Sequence, residues 1–206
     1  MDLNFIDTPV TLILLLLNVL VSGYALLQDG SLIDRLGFRP VRIGEQGEWY
    51  RFITAGFVHG GLAHLAFNLI TLYFFGPLLE VVLGSPGFIV LYFGSELTAH
   101  ALTYWFHRGD EGYNAVGASG AISGIVFAFC LFAPFEKLYL FFAIPVPAIV
   151  FAVGFVAVSI YAMNRTRGRL GGIAHEAHLG GALGGVVLTI LLEPRALQVF
   201  LSHFGL

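Results

Sequence analysis

Long apolar windows, cut by short polar or glycine- and proline-rich breakers, dominate this sequence and leave it few ways to fold. Six can be read, at about residues 9–27, 62–82, 87–106, 115–132, 138–163 and 172–192. A helix that crosses the hydrocarbon core of a bilayer needs about 20 mostly apolar residues. In lipid, every backbone N–H and C=O must be paired internally, which favours helices for such windows. The windows therefore predict an all-α, polytopic membrane protein, a bundle of six transmembrane helices. Composition agrees: 57% of the 206 residues are hydrophobic and 11% are charged, against about 25% charged in soluble domains. The stretch 28–51 between the first two windows is polar and glycine-rich, with aromatic and basic residues. It predicts a long first loop lying in the headgroup region. Pro145 and Pro147 fall inside the fifth window and predict a kink there.

No repeat, low-complexity tract or linker divides the chain, so a single domain over residues 1–206 is expected. A net charge of −3 without a basic stripe predicts no nucleic-acid partner. The one cysteine, Cys130, has no intramolecular disulfide partner. No Lys or Arg precedes the first apolar window, which argues against a cleaved signal peptide.

Six spans put the starts of the second, fourth and sixth on one side of the membrane. The unusual polar residues cluster at those starts: His59, His64 and Asn68 at the second, Ser119 at the fourth, His175 and His178 at the sixth. A fourth helix beginning near Ala115 would put Ser119 about 6 Å below its start, at about 1.5 Å per residue. Ser119 stands between Gly117 and Gly120, and Gly120 with Gly124 makes a small-xxx-small pair. Gly180 with Gly184, and Gly181 with Gly185, offer a matching smooth surface on the sixth helix. Close crossing of these helices would bring a serine hydroxyl to a histidine ring, the arrangement of an activated nucleophile. His64 and Asn68, four apart, share a helix face, and their imidazole N–H and amide are suitable donors to a developing oxyanion.

In order and spacing these elements resemble the rhomboid family of intramembrane serine proteases, across most of the chain from Trp49 to Gly185. The resemblance rests on His59, His64 and Asn68 in H-x4-H-x3-N, and on Gly76, Glu80 and Gly84 in G-x3-E-x3-G. It rests also on Gly117–Gly120 as G-x-S-G, on Ala177, His178 and Gly181 as A-H-x-x-G, and on Arg51 after Trp49. The resemblance implies Ser119 as nucleophile and His178 as general base of a dyad. It implies His64, Asn68 and the Ser119 amide as the oxyanion hole, with no cofactor and no metal. The implied substrates are transmembrane segments of other proteins, in a cell membrane, a prokaryotic plasma membrane. Arg51, Glu80 and the glycines are read as structural, and His175 as accessory. The sequence departs from the family at Ser123, where an aromatic that packs on the catalytic histidine is common. It also conflicts with the family's cytoplasmic N-terminus, because Arg35, Arg39, Arg42, Arg51, Arg108, Arg165, Arg167 and Arg169 would all then face outward.

Three other readings compete. "HEAH" at 175–178 comes near the H-E-x-x-H zinc signature. That signature needs histidines at i and i+4, however, and here Glu176 would point away from both, an incidental residue. A rhomboid-like protein that binds clients without cleaving them would commonly lack the serine or histidine, and both are present. Glu96 and His100, at i and i+4, suggest a proton relay in a transporter, or simply an interhelical hydrogen-bonded pair.

Overall fold

The computed structural model describes residues 7–140, 143–166 and 174–206. Helix α1, Pro9–Leu27, starts on a proline whose fixed φ suits a first helical position. Its buried stripe is Thr11, Leu14, Asn18, Ser22 and Ala25, while Ile13, Leu16, Leu20 and Leu27 are exposed. Apolar residues thus face outward and small or polar ones inward, as a lipid-facing helix requires.

The connector expected as a loop folds into three short helices: α2, Ser31–Leu36, α3, Pro40–Gln46, and α4, Arg51–Thr54. Arg51, 1% exposed, gathers them by donating to the Asp34 and Gly37 carbonyls and to Glu48. Arg35 and Arg39 pair with Asp29 and Asp34. Three of the arginines that set charge against the family's orientation are therefore buried or neutralised locally.

Helix α5, Leu62–His107, carries the second and third windows. It is divided at Gly84, whose φ of 69° only glycine adopts readily. Glu80, just before that break, accepts from the Val10 and Thr11 N–H groups, the Thr11 hydroxyl and the Ser85 hydroxyl. It thereby caps the first turn of α1 from another helix.

Helix α6, Ser119–Phe132, is the central element, buried along almost its whole length. Helix α8, His175–Leu192, crosses it where Gly181 meets Gly120 and Gly185 meets Gly124, backbone to backbone. The other glycine pair does not join this seam. Gly180 and Gly184 turn to Thr98 and Ala99 in the second half of α5, so α8 is glycine-smooth on two sides.

The fifth window begins differently from its expected form. Residues Lys137–Leu140 (β1) and Ile144–Pro147 (β2) make an antiparallel ribbon, with Lys137 opposite Pro147 and Tyr139 opposite Pro145. Helix α7 starts only at Ala148 and runs to Thr166. Pro145 and Pro147 therefore precede this helix instead of kinking it. A residue lacking an N–H is tolerated in a ribbon where both strands are edges. Helix α9, Arg195–Ser202, closes the chain against α6 and α8. Among the described residues three helices, α1, α5 and α8, are long and apolar enough to cross a membrane, and α6 and α7 are shorter apolar helices. The glycine- and arginine-rich stretch at 167–172 lies outside the described residues.

Candidate active site

The fourth window is helical from Ser119, not from Ala115. The residues before it are held out of the helix, because Ala115 pairs with Phe38 across a β-bridge and the Gly117 N–H donates to the Ala55 carbonyl at 2.9 Å. Gly117 has φ of 112°, and a Cβ there would lie 2.5 Å from His64 Cε1. Only glycine fits both demands. Ser119 is consequently the first helical residue, half-buried at the mouth of α6, and not a full turn deep. The Ser119 and Gly120 N–H groups have no acceptor within the helix, and the next one, from Ala121, donates to Glu96 Oε2 at 2.9 Å.

His178, the fourth residue of α8, brings Nε2 to 3.0 Å from Ser119 Oγ. The glycine seam below makes this possible, since it lets the two backbones touch within a turn of both side chains. His64 enters from the start of α5 and lies against Gly117. Asn68 is one turn further along α5, buried, and its amide donates to the His64 carbonyl at 3.0 Å. One of its two N–H groups is thus engaged in its own helix. Ser119 and His178 are thus in contact, His64 lies against Gly117 two residues before Ser119, and Asn68 lies one turn on from His64.

His59 is a member of this site whose role the sequence does not reveal. It sits in the turn before α5, fully buried. Ser22 donates to the Phe57 carbonyl at 2.8 Å and so accepts from His59 Nδ1 at 2.7 Å. His59 Nε2 is then left as the acceptor for the Ala118 N–H at 3.4 Å. Burial, with the neighbouring His64, pushes its pKa down to about 3, so it stays neutral. It braces the segment that carries Ser119 against α1.

Glu176 is not incidental. It is buried, accepts from the Tyr113 hydroxyl at 2.6 Å and lies 3.2 Å from His107 Nε2. His107 and Tyr113 stack at 3.8 Å. This cluster ties the end of α5 and the following loop to the first turn of α8, two residues before His178. Glu96 and His100 likewise act between elements: Glu96 on α6, and His100 on the Phe52 carbonyl at 2.8 Å, with its ring stacked on Phe38 at 4.2 Å. Ser123, the departure from the family, turns its hydroxyl back to the Ser119 carbonyl at 2.8 Å.

A family model described as the rhomboid domain matches residues 46–195. The chain is 32% identical over 170 residues to Rhomboid protease GluP of Bacillus subtilis, covering 78% of this chain and 32% of that protein. It is 27% identical over 212 residues to Rhomboid protease AarA of Providencia stuartii, covering 92% of this chain and 75% of that one. Presenilin-associated rhomboid-like protein, mitochondrial, of Mus musculus is 32% identical over 138 residues, 65% of this chain and 36% of its own length. The chain thus spans about a third of the length of the first and last of these.

Proposed function

The chain belongs to the rhomboid family, and on that footing we propose that it is an intramembrane serine endopeptidase that cleaves transmembrane segments of other proteins. The observation that carries the proposal is the 3.0 Å contact of His178 Nε2 with Ser119 Oγ, at the half-buried first residue of a buried helix. His178 takes the Ser119 proton as Oγ adds to the scissile carbonyl carbon. The oxygen of the tetrahedral intermediate becomes anionic and is met by the Ser119 N–H, the His64 ring and the remaining Asn68 N–H. Collapse breaks the C–N bond, the leaving amine takes the proton from His178, and an ester to Ser119 remains. Water, deprotonated by His178, hydrolyses that ester and restores the serine.

A helical substrate hides its carbonyls in i→i−4 hydrogen bonds, so the cleaved stretch must unwind locally to present one. In this reading residues 1–206 are one domain with six spans: α1, the two halves of α5, α6, α7 and α8. The α2–α4 segment lies at the membrane interface, and the N-terminus is cytoplasmic in a prokaryotic plasma membrane. The test is cleavage of a model transmembrane substrate in liposomes by wild type, Ser119→Ala and His178→Ala. Both variants are expected to lose activity by at least about a thousandfold. Substantial cleavage by either one refutes the dyad.

A further inference from the structure

The His178 ring is met on two sides besides Ser119. His175, on the same helix, stands edge-on at 6.3 Å and 82°. Phe155, on α7, lies at 5.9 Å with its ring tilted only 30°. Phe155 is itself held by Phe127 of α6 at 5.5 Å and by Phe151, one turn earlier on α7, at 5.7 Å. Ser119, Ser123 and Phe127 follow at i, i+4 and i+8, and so form one ridge of α6. One end of that ridge touches His178, the other touches Phe155, and those two rings touch each other. Ser123 stands midway along that ridge with a side chain too short to pack on a ring. Its hydroxyl is turned back onto its own helix.

We propose that Phe155 is the positioning residue for His178, holding the imidazole at the angle from which Nε2 reaches Ser119. The proposal rests on the dyad reading above. A histidine's second side-chain torsion has broad wells, and one hydrogen bond at Nε2 does not fix it. A tilted aromatic neighbour at about 6 Å does, because it fills the space into which the ring would swing. Helix α6 supplies no such group at Ser123, so the constraint comes from α7. Alignment of nucleophile and base therefore depends on how α7 docks.

The test is the rate at which a fluorophosphonate labels Ser119 in detergent, together with kcat and KM on a model substrate. Phe155→Leu keeps the bulk and removes the ring, and Phe155→Tyr keeps the ring. We expect Leu and Ala to slow labelling by about ten- to a hundredfold, lowering kcat with KM nearly unchanged, while Tyr retains most of the rate. Placing a ring on the ridge, as Ser123→Phe in the Phe155→Ala background, is expected to recover at least a third of the loss on a logarithmic scale. Labelling of Phe155→Leu at the wild-type rate overturns the proposal, as does a double variant no faster than Phe155→Ala. A wild type that does not label at all refutes the dyad reading instead.

Discussion

Gly181→Ala puts one methyl group where α8 rests on the backbone of α6. The new carbon would collide first with the Gly120 carbonyl oxygen, and would sit 2.8 Å from the carbonyl carbon and 3.1 Å from Cα. Carbon atoms pack at about 3.5–4.0 Å, so the helices must part by roughly 0.7 Å or more. Neither side can yield by rotating a side chain, because the group met is backbone. Gly120 follows Ser119 directly and Gly181 is less than one turn beyond His178, so the displacement reaches the dyad almost undiminished. The 3.0 Å contact then opens to at least about 3.7 Å, outside the range of about 2.6–3.2 Å that proton transfer needs. Misplacement on this scale costs on the order of a hundredfold in rate, and overpacking costs about 1–3 kcal/mol of stability. The assay pairs fluorophosphonate labelling with thermal unfolding in the same detergent. Gly154→Ala on α7 is the control, since nothing lies within 4 Å of a Cβ there, and it should label normally and unfold no earlier. Wild-type labelling by Gly181→Ala would refute the idea that this seam sets the reach of His178.

Gly117→Ala is expected to abolish labelling, because it combines strain at φ of 112° with a collision against His64; the strain alone is worth about 1–3 kcal/mol. Glu80→Leu removes the acceptor of four hydrogen bonds and should cost at least about 2 kcal/mol, read as an earlier thermal transition with kcat of the folded fraction kept. Tyr113→Phe and Glu176→Gln should couple in a double-mutant cycle by about 1 kcal/mol of stability, since both break the same cluster. His59 gives a pH dependence. Its folded pKa of about 3 lies below an unfolded value of about 6.5, so below that pH the unfolded chain binds a proton that the folded one refuses. Stability from this group is complete above about pH 6.5 and falls on acidification, by up to ~1.4 kcal/mol per pH unit. His59→Gln should flatten the slope of unfolding free energy against pH in that window.

The elements legible in the sequence are those set by neighbours on the same stretch of chain. Residues 9–27 read as one helix because the apolar run is bounded by Pro9 and the polar Gln28. The break between the second and third windows fell at a glycine because only glycine takes the backbone angle found at Gly84. The Gly120–Gly181 seam was readable because small residues four apart carry a direct steric meaning. Contacts over long separations were not readable. Phe38 strips the first turn from the fourth window through a bridge to Ala115, and nothing near Ala115 announces it. Glu176 looks idle until Tyr113, 63 residues earlier, is brought to it. His59 appears in a motif, but its acceptor role depends on Ser22 of another helix. The hairpin before α7 had a local signal, the two prolines, which argue equally for a kinked helix and for an edge strand.

The cap that Glu80 gives α1 carries a consequence for how the protein is made. The N–H groups of Val10 and Thr11 find their acceptor 70 and 69 residues later in the chain. On the same helix Thr11, Asn18 and Ser22 belong to the buried stripe. While the ribosome is still producing α1, Glu80 has not been synthesised, and polar groups left unpaired in hydrocarbon cost several kcal/mol each. A nascent α1 must keep its first turn against water or against the insertion machinery, and it reaches its final depth only with the arrival of α5. On the six-span proposal, insertion of the first span is then completed with the second, and a chain halted after α1 should remain extractable from the bilayer.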